Sequence, residues 1–410
     1  MKRFWIVMTI LALFSVLFIG CTPSAESKTD ESNMGKDEGN EEKNENNEKK
    51  NSVNIVAASE LATFLQSITE TEIVKIKVTG DYVDIINARS YFKNENIKVD
   101  LDLSELIDAP NVLDGFKGSK SLVGIILPKG ITSIGNYVFS DCISLEKIEL
   151  SYNVTSIGDD AFAACTSLKK IELPYSVTSI GKKAFSRCSS LRKINIPYNV
   201  TSIGSFAFSG CNTLESVVMS DNVSSIGSYA FSGCDSLSDI KLSNKLNEIQ
   251  SDLFSGCLSL KKIDLPQGIT SIGSYAFSQC SYLKEIEIPN SVVKIGKNCF
   301  RDCTNLTTIE LPEGITDIEE YTFENCSSLK SVVFFGKVTR ICACSFNNCN
   351  ALDSIDFKDL SKLSYCAKFI QGVGETKLDC DIESLSDSAE AAKLVKKYNA
   401  SYLFFHYRTY

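Results

Sequence analysis

At 410 residues, with 43% hydrophobic side chains and a net charge of −9, the chain has the make-up of a folded, mildly acidic protein. The acidic balance excludes a nucleic-acid partner, because phosphate binding needs clustered Lys and Arg. A single histidine, His406, leaves the body of the chain without any His-dependent triad and without most zinc sites.

Lys2 and Arg3 precede an apolar run from Phe4 to Gly20, the charged and apolar parts of an export signal. The run sits at the lower limit for a membrane span, so an uncleaved signal anchor is the alternative. Phe18-Ile19-Gly20-Cys21 resembles the bacterial lipobox, which implies lipidation of Cys21 and removal of residues 1–20; Phe18 stands where Leu is usual. Residues 22–52 carry nine acidic and five basic side chains and nothing to form a core. That composition predicts a solvated tether between the lipid anchor and the folded part.

Folding is expected from Val53. Ser59 is a candidate N-cap for a helix through Leu61, Phe64, Leu65 and Ile68, and Ile73 to Val78 alternates as a strand. A second helix is expected over Val83, Ile85, Ile86 and Tyr91, then a strand over Ile97–Leu103. Phe116, Ser119 and Leu122 complete a degenerate first coil, so residues 53–121 are predicted to form an N-terminal α/β cap.

From Leu122 to Ala351 the chain repeats every 23 residues, ten times. Cys142, Cys165, Cys188, Cys211, Cys234, Cys257, Cys280, Cys303, Cys326 and Cys349 mark the period, each with Phe three residues before it and Leu three after. A unit reads L-x-x-I-x-L-P-x-x-V-T-S-I-G-x-x-A-F-x-x-C-x-x. Leu, Ile and Leu point inward from a first strand that proline ends, and Val and Ile point inward from a second. Gly is expected to turn the chain, and Ala-Phe-x-x-Cys to return as one helical turn. The pattern resembles the leucine-rich repeats of BspA-like surface lipoproteins. The resemblance implies a leucine-rich-repeat solenoid of stacked short parallel strands with a short helical or irregular return leg. Gln250, Glu319 and Cys342 replace the Gly, while Leu253, Cys299, Thr322 and Ser345 replace the Ala. Those coils should be irregular, the last most of all. Residues 352–410 are expected to close the solenoid as a second α/β cap, with strands at Thr376–Ile382 and Tyr402–Tyr407 around a helix at Asp387–Tyr398.

The ladder cysteines read as reduced core thiols, whereas Cys299, Cys342, Cys344, Cys366 and Cys380 fall off the register and leave a disulfide to the C-terminal cap open. No catalytic set is present: Gly372-Val373-Gly374 is too short for a phosphate loop, and no histidine activates the many serines. No cofactor or small-molecule substrate is therefore expected. Candidate contact residues are outward aromatics, in one register Tyr152, Tyr175 and Tyr198, in a second Tyr229 and Tyr275 with Tyr137, Phe206 and Tyr321. Phe334, Phe335 and Val333 make a further apolar spot, and the outward flanks Lys147/Glu149, Lys170/Glu172, Lys193/Asn195, Lys262/Asp264 and Glu285/Glu287 put charge in adjacent columns that is expected to pair across strands. The resemblance implies an exported, envelope-located lipoprotein with a protein ligand: an adhesin for host extracellular matrix, plasma proteins or other cells. A scaffold linking envelope proteins is the alternative.

Overall fold

A computed structural model describes residues 52–69, 72–342, 344–359 and 365–366. The export signal, Cys21, the tether, Cys380 and the expected C-terminal helix and strands lie outside these residues, as does the side chain of Cys366.

The cap begins with β1 (Val53–Ala57), a 3-10 turn (Ala58–Glu60) and α1 (Leu61–Ser67). Ser59 is not the N-cap: it lies inside the 3-10 turn, and Glu60 takes the cap without a side-chain bond. The turn satisfies the first orphan donor itself, since Leu61 N–H donates to the Ala58 carbonyl. β2 (Ile73–Asp81) and β3 (Lys98–Ile107) flank a stretch over Tyr82–Lys93 that is 3-10 rather than α-helical. Its buried residues Tyr82, Ile85, Ala88 and Phe92 follow the near-three-residue spacing that eclipses side chains on one side of such a helix. Phe92 packs on Phe116 at 5.9 Å between ring centroids, carrying the phenylalanine column of the repeats into the cap.

β1, β2 and β3 pair in parallel and continue without a break into the first strands of the repeats at Leu122–Ile126, Lys147–Glu149 and Lys170–Ile171. A second parallel sheet stacks Val112–Leu113, Ser133–Ile134, Ser156–Ile157, Ser179–Ile180, Ser202–Ile203 and Ser225–Ile226, with Ser over Ser and Ile over Ile from Ser133 onward. Between the sheets lie the predicted core residues. Phe139 through Phe323 are fully buried, and their rings stack nearly parallel, as Phe162 and Phe185 do at 5.2 Å and 4°.

The return leg is not a helical turn. Two residues per coil adopt left-handed backbone, for example Phe206 (φ 60°) and Gly210 (φ 74°), and a helix cannot run through them. What forms instead is a run of tight turns, such as Cys211 N–H to Phe208 C=O at 3.1 Å. These turns are stitched to the next coil by Phe208 N–H to Ala230 C=O and Gly210 N–H to Ser232 C=O, both 2.8 Å. The return leg is thus a third hydrogen-bonded side, which satisfies backbone groups that stacking would otherwise bury unpaired.

The Gly after each Ile has a different task from the expected one. A Cβ on Gly204 would sit 2.5 Å from Lys182 N, and one on Gly181 2.6 Å from Gly158 C, so hydrogen is required for one coil to close on the next. Two of the three substituted coils bear this out. Gly227 N–H donates to Ile203 C=O at 2.8 Å and Gly273 N–H to Ile249 C=O at 2.7 Å, but no such bond forms from Gln250 or Glu319. The second sheet ends at Ile226, restarts at Glu248, ends again at Ile295 and restarts at Asp317. The coil carrying Cys342 departs from expectation, since Cys342 N–H still donates to Ile318 C=O at 2.8 Å. Replacing Ala does less: Phe231 N–H reaches Leu253 C=O at 3.1 Å and Phe323 N–H reaches Ser345 C=O at 2.8 Å.

Candidate interaction surface

The cysteine column belongs to the interior. All ten register thiols are buried, and each Sγ donates to the carbonyl of the Phe 26 residues earlier, from Cys142 to Phe116 (3.0 Å) to Cys349 to Phe323 (3.1 Å). Burial pushes the Cys142, Cys211 and Cys280 thiols up to about 12 and the others upward as well. A small apolar group with one weak donor fits this position, and Ser119 fills it in the degenerate coil. The off-register Cys299, Cys342 and Cys344 are buried, and the backbone of Cys366 pairs with Ile341.

Outside, the first sheet carries scattered charge. Lys147 pairs across strands, with Asp100 of β3 at 2.8 Å, whereas Lys170 and Glu172 at 2.6 Å and Lys262 and Asp264 at 3.8 Å pair within one coil rather than across strands. The two pairs within a coil are well exposed and contribute at most about 1 kcal/mol each, whereas Asp100 is only 19% exposed. A shallow groove of about 460 Å³ runs over Lys262, Asp264, Glu285, Glu287 and Glu310. Its lining offers carboxylates with Lys262 and Thr308 on an open face, and no group of three or more metal-ligating side chains occurs among the described residues.

The aromatic residues occupy two separate edges of the coil. Tyr152, Tyr175 and Tyr198 stand in the turn between the two strands and are 71%, 65% and 56% exposed. Their backbone is fixed by the following coil: Ser176 Oγ donates to Tyr152 C=O at 2.7 Å, Asn199 Nδ2 to Tyr175 C=O at 3.0 Å and Asn222 Nδ2 to Tyr198 C=O at 3.0 Å. The rings of Tyr175 and Tyr198 lie parallel, 6.2 Å apart. Lys129 precedes this column and Asp221 follows it.

Tyr137, Phe206, Tyr229, Tyr275 and Tyr321 lie past the second strand, in the first left-handed register of the return leg. Much of this column is internally satisfied. Lys183 lies over the Phe206 ring at 5.9 Å, Phe206 stacks on Tyr229 at 4.5 Å, and Tyr229 hydrogen-bonds Asp252. That bond, first, and the Asp252 charge hold the Tyr229 phenol above its usual range. Tyr275 is exposed. Phe334 is fully buried in the register of Leu311, so the apolar spot expected there reduces to exposed Phe335 beside half-buried Val333. Phe334 is inward because it holds the register of the second Leu of the unit, paired with Leu311, in a strand of seven residues, Ser331–Lys337, against four at Thr308–Leu311.

A family model for the BspA type leucine rich repeat region, built of six repeat copies, matches residues 114–237, 155–280, 201–330 and 247–369. The chain belongs to the BspA-type leucine-rich repeat family. Among solved structures, a leucine-rich repeat protein from Bacteroides ovatus is 30% identical, with TM-score 0.57, over 64% of this chain and 67% of its own. A leucine rich repeat protein from T. pallidum is 32% identical over 43% of this chain and 85% of its own, with TM-score 0.39. A leucine rich cell surface protein from Faecalibacterium prausnitzii is 27% identical over 69% and 83%, with TM-score 0.33. No curated protein matches the chain. The repeat scaffold is of a kind that generally binds proteins, and no enzymatic family is indicated.

Proposed function

We propose that this is an exported lipoprotein, held to the membrane through Cys21, whose solenoid serves as a non-catalytic scaffold that binds a protein partner at the cell envelope and acts as an adhesin. The observation that carries the reading is the column of Tyr152, Tyr175 and Tyr198, three large rings left open to solvent on a backbone fixed by inter-coil hydrogen bonds. Such rings lose little conformational freedom on contact and give most of their area to a partner. Tyr229 and Tyr275 supply a second, lesser contact on the neighbouring edge. The outward location is supported by the lipobox-like Phe18–Cys21 and the charged stretch behind it.

Two experiments test this. Metabolic labelling with a fatty acid should mark the wild-type protein and not Cys21→Ser, and externally added protease should remove it from intact cells. Pull-down of matrix and plasma proteins with the purified protein should lose its partner when Tyr152, Tyr175 and Tyr198 are all changed to Ser; retention would remove the assignment of the contact.

A further inference from the structure

We propose that the column of Tyr152, Tyr175 and Tyr198 takes a neutral glycan chain laid along the solenoid axis, so that the partner is met through its carbohydrate. The inference rests on the reading above that this column is the contact.

Charge comes first. From the end of the first strand through the second, residues 150–158, 173–181 and 196–204 contain no charged side chain, in a protein where 23% of residues are charged. Among the other coils only residues 265–273 are likewise uncharged, and there Gln267 stands in place of the tyrosine; the rest carry Lys129, Asp221, Lys245 and Glu248, then Lys294, Glu313, Asp317 and Glu319. Three consecutive neutral coils are thus bounded at both ends by charge. A protein-docking patch ordinarily sets its aromatic anchors beside Arg, and no Arg stands in these three stretches. A neutral polysaccharide needs none.

The groups that replace charge are those that recognise sugars. Each neutral coil presents a tyrosine ring, against which the C–H face of a pyranose packs, with a hydroxyl at its tip. Three residues further on stands an exposed Thr whose own proton is already spent. Thr155 Oγ1 donates to Thr132 C=O at 3.0 Å and Thr178 Oγ1 to Thr155 C=O at 3.1 Å. A hydroxyl that donates inward keeps lone pairs outward, so the column offers acceptors to sugar hydroxyls.

Periodicity decides between partners. Parallel stacking repeats this Tyr and Thr set at the strand spacing of about 4.8 Å, close to the advance of one sugar in an extended chain. A homopolymer meets the same group at every step, whereas the surface of a folded protein has no such period. The parallel rings of Tyr175 and Tyr198 show that the register holds at the side chains.

The test is affinity electrophoresis of the full-length, detergent-solubilised protein through gels containing dextran, laminarin, mannan or xylan, with heparin as the anionic comparison. Expected is retardation by at least one neutral polymer that persists at about 0.5 M salt. The combined Tyr152→Ala, Tyr175→Ala and Tyr198→Ala variant should weaken it at least about tenfold, and Tyr282→Ala, an exposed ring outside both columns, should not. All three side chains are exposed, so the variant folds, and urea midpoints check this. Retardation by none of the neutral polymers, by heparin alone, or equally in the triple variant overturns the proposal. If the gels fail while the pull-down still depends on the tyrosines, the contact is to protein and only the glycan inference falls. If the pull-down is indifferent to them, the reading of the column falls as well.

Discussion

Replacing Gly204 by Gln puts into a regular coil the side chain that stands naturally at position 250. The new Cβ would lie 2.5 Å from Lys182 N and 2.6 Å from Gly181 C, backbone atoms that cannot swing aside, so the coil must lift off its predecessor. Two bonds hold that contact, Gly204 N–H to Ile180 C=O at 2.8 Å and Thr201 N–H to Thr178 C=O at 3.0 Å. The equivalents of both are missing at Gln250 and at Glu319. At about 1 kcal/mol net per bond, with some packing lost beside it, the expected cost is about 2–3 kcal/mol. Urea unfolding reads the total, and amide exchange at Gly204 and Thr201 reads the two bonds, which matters because solenoids do not always unfold as one unit. An unchanged urea midpoint with both amides still protected would refute the reasoning. The reverse change, Gln250→Gly, should restore protection at residue 250 and gain only about 0–1 kcal/mol, since glycine frees the unfolded chain.

Three further outcomes are expected. Phe208→Ala, between Phe185 at 5.3 Å and Phe231 at 5.4 Å, should cost about 3–5 kcal/mol by chemical denaturation. The buried register thiols should resist iodoacetamide at pH 8 in the folded protein and react fully in denaturant, because the thiolate is the reactive species and burial suppresses it. Stability should also fall in alkali: a thiol whose folded value is raised stays protonated while the unfolded chain ionises. Its contribution is therefore complete below about pH 8.5 and is lost as pH rises toward about 12, the folded value of Cys142, Cys211 and Cys280, at about 1.4 kcal/mol per pH unit per thiol. With ten such thiols, cooperative unfolding within about one or two units above pH 9 is the result to find by circular dichroism.

The inward face of the solenoid was readable because burial imposes one residue type per register over ten coils. Phe, Cys, Leu and Ile repeat where space repeats. The backbone of the return leg was hidden because left-handed geometry is signalled only weakly here: Gly210, Gly233, Gly256, Asp302, Asn325 and Asn348 mark one register, but Tyr, Phe, Asp and Lys occupy the other. The role of the conserved-looking Gly inside each unit was misread for a related reason, since close approach between coils leaves no mark along one coil. Phe92 escaped notice because it stands 24 residues before Phe116, one off the period. Of the surface, sequence registers separated the two aromatic columns, yet they could not show that Tyr229 is occupied by Phe206 and Asp252 while Tyr175 is open.

The central claim, that the turn between the two strands is where this scaffold meets its partner, is tested most directly by site-specific photo-crosslinking on intact cells. A photoreactive residue at Tyr175 should capture the partner, and the same residue at Glu172, which is no less exposed on the first-strand face, should not. Capture at Glu172 but not at Tyr175 would contradict it.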